Sequence, residues 1–363
     1  MNWSEVRTWF PALSHCTYLN SATFGQLPLR TQAAVANHFE RRDREACADF
    51  LTWFDDMDEL RTLLARYISC QADDIAFTLN AASALSLFLG GIDWQPGDRV
   101  ATLPNEFQNQ IYYASWLSTR GVELLEVPRL ETLPERTRAV VLSTVSYTTG
   151  YRPDLRRIAQ MAHSAGALVY MDGTQSLGAL QFDVADVQPD MFAVDGYKWL
   201  LCPNGATFFY ISPELRLRIP PAVIGWRSDK GWRVVDDLNA GIPDFPDAAE
   251  RYEGGMLAFP SLYGMAESVR MFLELGPAAI EQRVLSLADQ TAQMLRTTGA
   301  TIRNTNTNIV AANWPDRDAS QLALDLHAKG IIVAARHGNL RVSPHFYNTE
   351  EDIEALRRAL TGR

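Results

Sequence analysis

Lys198 lies in the segment DMFAVDGYKWLLCPNG, between Tyr197 and Trp199 and just ahead of Leu200, Leu201 and Cys202. A lone lysine is nearly always a solvated surface charge. Apolar company of this kind disfavours the ammonium form and lowers the pKa, which is what an imine-forming nucleophile requires. In MDGTQSLGAL, Asp172 closes an apolar strand-like run and Gln175 follows three residues later; an Asp there is usually a turn former or helix cap. IAFTLNAASALSLFLGG turns through Ala81, Ala82 and Ser83 into a helix. Such a turn either aims backbone N–H groups at an anion or simply packs a capped helix on a sheet. Phe107, in LPNEFQNQIYY, ends another strand and suits either a flat ring or the core. Arg341, in GNLRVSPHFYNTEEDI, sits among apolar neighbours and needs an anion, internal or brought by a substrate carboxylate. Taken together, an anion cup, an aromatic, a carboxylate, a lysine 26 residues later and a distal arginine fit one chemistry.

The elements around these residues set the fold class. From about residue 54 to 212 the chain alternates: FDDMDELRTLLARYI is helical, DIAFTL strand-like, ALSLFLGGI helical, DRVATL a strand. QIYYASWLSTRG reads as a helix before VELLEVP, RAVVLSTVS is β-rich, and DLRRIAQMAHSAG is a helix stopping at Gly166. ALVYMDG, DMFAVDG and GATFFYI follow as buried strands. Strands apolar on both faces and separated by helices predict a mostly parallel, doubly covered α/β sheet, with ligands outside the carboxyl ends of its strands. The stretch IPPAVIGWRSDKGWRVVDDLNAGIPDFPD reads as irregular loops. Beyond it, PSLYGMAESVRMFLEL and AIEQRVLSLADQTAQMLRTTG are helical, NIVAANW and IIVAAR are strand candidates, and TEEDIEALRRAL opens with a capping box at Thr349. These predict a smaller α+β unit.

Composition removes several classes. With 47% hydrophobic and 21% charged residues in 363, the chain is globular. A net charge of −10 leaves no basic surplus for nucleic acid. The four cysteines, Cys16, Cys47, Cys70 and Cys202, have no C-x-x-C spacing, which disfavours a disulfide framework or a metal site. MNWSEVRTWF lacks the apolar core of an export signal, and no apolar run is long enough to span a bilayer. A protein of the cytoplasm, with no membrane partner, is expected. Neither G-x-G-x-x-G nor G-x-x-x-x-G-K-[ST] occurs, so the usual nucleotide cradles are missing.

DGTQSLGAL, DGYKWLLCPNG, RYEGGMLAFPSLYG and RVSPHFYNTEED, in that order, resemble segments of the class V aminotransferase family of fold type I pyridoxal-phosphate (PLP) enzymes. The resemblance covers nearly the whole chain, from YLNSATFGQLP at Tyr18 to Ile353. That family includes cysteine desulfurases, isopenicillin N epimerase-like proteins and kynureninases. The resemblance implies a large PLP-binding domain over residues 15–250, with a mostly parallel sheet of the seven-stranded type between helices. Residues 1–14 and 251–363 would form the small domain. It implies Lys198 as the cofactor's imine partner and later base, Asp172 on the pyridinium nitrogen, Gln175 on the 3-oxygen and Phe107 on the ring face. The phosphate would fall to Ala81, Ala82, Ser83 and Tyr197, and the substrate to Arg341, Asn20 and Tyr147. A homodimer is implied, with Gly254, Gly255 and Met256 of one copy near the other's site.

Departures from the family's pattern bear on the subclass. Desulfurases carry a nucleophilic cysteine shortly before the carboxylate-binding arginine, and KGIIVAARHGNLR contains none. The expectation is therefore a class V aminotransferase-like enzyme acting on an amino acid through an external aldimine and α-carbanion, by transamination or C–S/β-elimination, and not a persulfide-forming cysteine desulfurase. An epimerase-like racemase and an idle PLP-fold binding protein are the alternatives. Asp195 replaces a serine common in desulfurases, and must face away from the cofactor phosphate or bond to backbone. Tyr197 replaces a histidine, Met256 a threonine, and Tyr147 an asparagine. Trp226, Arg227 and Trp232 would either line a pocket or pack.

Overall fold

The computed structural model describes residues 1–128, 132–237 and 241–362. Seven strands form its central sheet: β1 (Ile75–Thr78), β2 (Arg99–Thr102), β3 (Glu123–Glu126), β4 (Thr137–Ser143), β5 (Leu168–Asp172), β6 (Met191–Asp195) and β7 (Thr207–Ile211). They lie in the order β1-β7-β6-β5-β4-β2-β3. β2 to β6 pair in parallel, and β7 is antiparallel to both β6 and β1. The apolar runs of the central strands have a simple cause. Val140, Leu142, Val169, Met171, Phe192 and Val194 enter the core on one face, and Ala139, Val141, Leu168, Tyr170, Met191 and Ala193 enter the core on the other. Helices cover both faces: α1 (Leu29–Glu45), α2 (Thr52–Ile68), α3 (Ala81–Gly90), α4 (Gln108–Trp116), α5 (Leu155–Ser164) and α6 (Phe259–Leu275).

The remaining chain builds the four-stranded antiparallel sheet β10-β11-β9-β8 from β8 (Thr301–Ile302), β9 (Val310–Asn313), β10 (Ala334–Arg336) and β11 (Asn339–Val342). It packs with α7 (Pro277–Thr297), α8 (Ala319–His327) and α9 (Glu350–Thr361). Thr349 and Asp352 form the capping box of α9. Asp352 also accepts from Arg7 at 2.8 Å, which ties the first turn of the chain to the last helix. Residues 19–21 then run beside the end of β11: Ser343 N–H donates to Leu19 O at 2.8 Å and Ser21 N–H to Ser343 O at 3.1 Å.

Two elements differ from the sequence expectation. Helix α1 was not anticipated, because its only fully buried residues are Thr31 and His38, too weak an apolar stripe to register. It is held by polar contacts instead: Thr31 Oγ1 meets Ser268 Oγ at 2.8 Å, and Arg30 pairs with Glu267 and Glu274 of α6. The helix expected through QIYYASWLSTRG ends at Trp116 and continues as a 3-10 turn, Leu117–Arg120, closed by Gly121 at φ +77°. The described residues of the stretch from 219 to 247 are irregular apart from a short 3-10 turn; residues 238–240 lie outside the described residues.

A buried charge cluster pins that stretch to the sheet. The Glu253 side chain, fully buried, accepts from Arg61 at 2.5 Å and from Arg227 at 2.9 Å, and from the Phe77 N–H of β1 at 3.0 Å. Arg227 also lies 4.2 Å from the Phe54 ring and 4.5 Å from the Trp232 ring. Trp232 is buried, so Trp226, Arg227 and Trp232 pack against α2. Removing the acid takes the shared carboxylate from two buried guanidiniums, leaving Arg61 with Asp58 at 2.5 Å and Arg227 with Glu250 at 3.5 Å. Glu253→Ala should therefore lower unfolding free energy by about 3–5 kcal/mol, read as a lower urea midpoint at unchanged slope; a midpoint unmoved by the substitution would refute the clamp.

Candidate active site

The carboxyl ends of β4, β5 and β6 open into a small cleft. Eight of the residues singled out from the sequence line it: Ala81, Phe107, Tyr147, Asp172, Gln175, Asp195, Tyr197 and Lys198. The register explains the grouping, since Ser143, Asp172 and Ala193 are successive partners across β4, β5 and β6. Ala82 and Ser83 face a different cavity, with Tyr113, Val223 and Tyr252. The Ser83 N–H donates to the Asn80 side chain at 2.9 Å, which caps the first turn of α3 from within the chain. Gly254, Gly255 and Met256 do not line the cleft of their own chain.

Lys198 is held by its backbone. Gly25 N–H donates to Tyr197 O at 2.9 Å, and His345 Nε2 meets Trp199 O at 2.8 Å. The Trp199 indole donates to Gln175 Oε1 at 3.0 Å. Gly178, at φ +103°, passes so close that a Cβ there would meet Trp199 O at 2.1 Å, a position only glycine can fill. Leu201 closes the loop at φ +55°, unusual for a bulky residue. The ammonium looks out of this frame over the rings of Tyr197 at 5.3 Å and Phe107 at 5.7 Å. Burial pushes its pKa down to about 8, with Asp172 pulling the other way. Burial likewise keeps His345 neutral, its pKa pushed down to about 3.

Asp172 accepts from Thr174 N–H at 2.9 Å and from Gln110 Nε2 at 3.1 Å. A carboxylate has about four acceptor positions, so capacity remains towards the cleft. Gln175 Nε2 donates to Ala22 O at 3.0 Å, leaving its second hydrogen. Asp195 lines the cleft; its carboxylate accepts from Thr207 Oγ1 at 2.9 Å and from the Ala81 backbone, the second of the two arrangements expected for it. Its pKa is raised to about 6, by burial first, with Asp172 adding to the rise and Thr207, Lys198 and the Ala81 backbone opposing it.

Beside the cleft, Arg341 is 1% exposed and pairs with no acid among the described residues. It donates to Tyr147 O at 2.8 Å and Thr23 Oγ1 at 2.6 Å, and its Nε has no partner. Burial and the neighbouring Arg336 push its pKa down to about 9. Asn20 supports it indirectly, through the bond from Thr23 Oγ1 to Asn20 Oδ1 at 2.9 Å. The Tyr147 ring packs edge-on to Phe107 at 5.3 Å, and its hydroxyl meets His337 at 3.0 Å.

Gln110, Thr23, Glu106 and His345 escaped the sequence reading. Gln110 follows Phe107 by three residues in the same strand-end segment, the one signal that pointed to it. Glu106 grips Ser143 through its N–H at 2.7 Å and its hydroxyl at 2.6 Å. The donor set suits a flat, anionic, aldehyde-bearing cofactor: an amine whose pKa burial lowers, a carboxylate with free acceptor capacity and an aromatic wall. The unpaired Arg341 beside it suits a carboxylate.

The Aminotransferase class-V family model matches residues 18–356. A probable cysteine desulfurase of Methanothermobacter thermautotrophicus is 27% identical, with 99% of this chain and 98% of that one covered. Among solved structures, the apo cysteine desulfurase of Thermococcus onnurineus NA1 superposes with a TM-score of 0.87 at 20% identity, over 99% of this chain and 97% of that one. The cystine C–S lyase C-DES, in complex with its reaction product cysteine persulfide, gives 0.88 at 22% identity, over 97% and 98%. Another structure of C-DES holds glycine covalently linked to PLP. The solved structures share the fold type I architecture of this chain, and the class V family match along nearly its whole length supports PLP as its cofactor.

They also overturn one expectation. Lack of a cysteine in KGIIVAARHGNLR was read as excluding a persulfide-forming cysteine desulfurase, yet relatives matching along nearly their full length carry that name. A thiol absent from one short segment does not decide the chemistry at a substrate's Cβ, because a leaving sulfur can depart on a product, as the C-DES complex illustrates. Cys202 does not supply the thiol: it is buried, its Sγ 3.2 Å from Leu200 O, and burial raises its pKa.

The electrostatics of Lys198 give a direct test. In cofactor-free protein, acylation of this residue followed by peptide mapping should rise between pH 7 and 9 with a midpoint near 8, where a solvated lysine titrates near ~10.4. A midpoint at the solvated value would contradict the burial.

Proposed function

The chain belongs to the class-V aminotransferase family of PLP-dependent enzymes, and from that premise we propose that it cleaves the carbon–sulfur bond of a sulfur-bearing α-amino acid. The observation that carries the reading is the buried Arg341, without an acid of its own, next to a cleft holding Lys198 and Asp172. Its charge is felt at Lys198, whose pKa it helps to lower. The sulfur is supported by the desulfurase and C–S lyase relatives.

PLP, when bound, supplies an electron sink for charge developing at the substrate's Cα. Lys198 would hold the cofactor and then take the Cα proton, a role that its depressed pKa favours near neutral pH. Asp172 would accept from the ring nitrogen, Gln175 would donate to the 3-oxygen, and Phe107 would wall the ring. The phosphate would fall to the α3 amino terminus at Ala81 to Ser83 and to Tyr197, beside Asp195. Ala82 and Ser83 would reach it through backbone, since their side chains line the neighbouring cavity. Arg341 would take the substrate α-carboxylate in a bidentate fork, with Tyr147 and Asn20 fixing its direction.

A homodimer is part of the reading, with the Gly254–Met256 segment of one copy approaching the other's cleft. Within one chain, Gly254 O and Gly255 O are locked by Arg227 at 3.1 and 3.2 Å, and Met256 is left 57% exposed beside them. Light scattering should return twice the chain mass of 40.6 kDa; a monomer would refute this part.

Holoenzyme given L-cysteine should release sulfide, pyruvate and ammonia, and given L-cystine should release cysteine persulfide, pyruvate and ammonia; Lys198→Ala should slow release by about a hundredfold or more. Amino-group transfer to an added keto acid, with no sulfur released, would overturn the carbon–sulfur assignment.

A further inference from the structure

Arg341 is not the only cation of this site without an acid. β10 and β11 form an antiparallel hairpin in which Ala334 faces Arg341 and Arg336 faces Asn339. Directly opposed residues share a sheet face, as do residues two apart on one strand. Arg336 therefore stands diagonally from Arg341 on the same side, with Cβ atoms about 7 Å apart, close enough for two long side chains to meet one ligand. Ala334 opposes Arg341 from β10 and Ala311 opposes it from β9, while Asn339, which opposes Arg336 on the same face, is engaged elsewhere, accepting from Arg303 Nε at 3.1 Å and donating to Arg336 O at 3.3 Å.

Neither arginine is neutralised from within. Arg336 is half-buried, and its Nη1 donates to the adjacent Ala335 O at 2.7 Å. Among the described residues no carboxylate pairs with Arg336 or Arg341. Placing two like charges diagonally on one face is unfavourable. The repulsion registers in the chain itself, since the Arg336 charge lowers the pKa of both Arg341 and Lys198. The hairpin also reaches the cleft directly. His337, next to Arg336, meets the hydroxyl of Tyr147, whose carbonyl takes Arg341 and whose ring lines the cleft. A single α-carboxylate can satisfy Arg341 and leaves the second charge in place.

We propose that Arg336 is a second anion-binding residue of the substrate site, so that the enzyme selects α-amino acids whose side chain carries its own anionic group, a carboxylate, sulfinate or sulfonate. This rests on the amino-acid reading given above. For carbon–sulfur cleavage it favours a sulfur substituent bearing an oxyanion or a distal carboxylate over a bare thiol.

L-Aspartate and L-asparagine are nearly isosteric and differ by one charge, so their binding to holoenzyme, followed by the cofactor absorbance, isolates the second site. Wild type should bind aspartate about tenfold more tightly, the lower range for one charge-assisted hydrogen bond. Arg336→Gln should bring the two affinities together by weakening aspartate, Arg336→Lys should retain part of the preference, and Arg341→Ala should weaken both ligands. Equal affinities in wild type, or an undiminished preference in Arg336→Gln, would overturn the proposal while leaving the amino-acid reading intact. A cofactor spectrum unmoved by either ligand would overturn that reading and the second site with it.

Discussion

Keeping the Lys198 amine out of water is the constraint on which the rest of the site depends, because an ammonium in bulk solvent is neither a nucleophile nor a base near neutral pH. The fold meets it by fixing backbone, not by gripping the amine. Gly25 holds Tyr197 O, His345 holds Trp199 O, the Trp199 indole is anchored on Gln175, and Gly178 lets a neighbouring loop press beneath. Those partners come from the chain's amino-terminal segment, the β5 loop and the segment after β11. The reactive lysine is thus positioned only when both sheets are assembled.

Charge is distributed unevenly across the cleft. Asp172 and Asp195 stand at the ends of β5 and β6, and the unpaired arginines stand on the β10–β11 hairpin opposite. Lys198 lies between, its pKa raised by the acids and lowered by burial and the arginines. Comparison with Arg61 and Arg227 shows what the imbalance means. Those two are equally buried, yet they converge on Glu253 and their role is to hold a loop against the sheet. A buried guanidinium with its acid supplied internally serves as scaffold; Arg341 is as deeply buried, yet no carboxylate among the described residues pairs with it, which in the proposed function leaves it for an anion that arrives from outside.

The same logic limits what a missing residue can exclude. The absent cysteine in KGIIVAARHGNLR bears on where sulfur would be received, whereas the proposed C–S cleavage draws on Lys198, Asp172 and Arg341, all of which are present. A reading that treats one side chain as standing for a whole reaction fails where the substrate can supply the same group.

The sequence by itself determined the central sheet, because residues buried on both strand faces must be apolar without interruption, and it pointed to Asp172, Lys198 and Arg341, because each is a polar group that apolar surroundings make costly. It left α1 invisible, since that helix is held by Thr31, His38 and arginine–glutamate pairs instead of an apolar stripe. Which polar groups meet was decided only in three dimensions. Gln110 on Asp172, Thr23 on Arg341 and the diagonal of Arg336 with Arg341 join residues from 5 to more than 300 positions apart, and their partnership follows from strand register and sheet-to-sheet docking. The divergence of Ala82 and Ser83 from the cleft has the same origin: the first turn of a helix spreads its side chains around the axis, and only packing fixes which one faces the site.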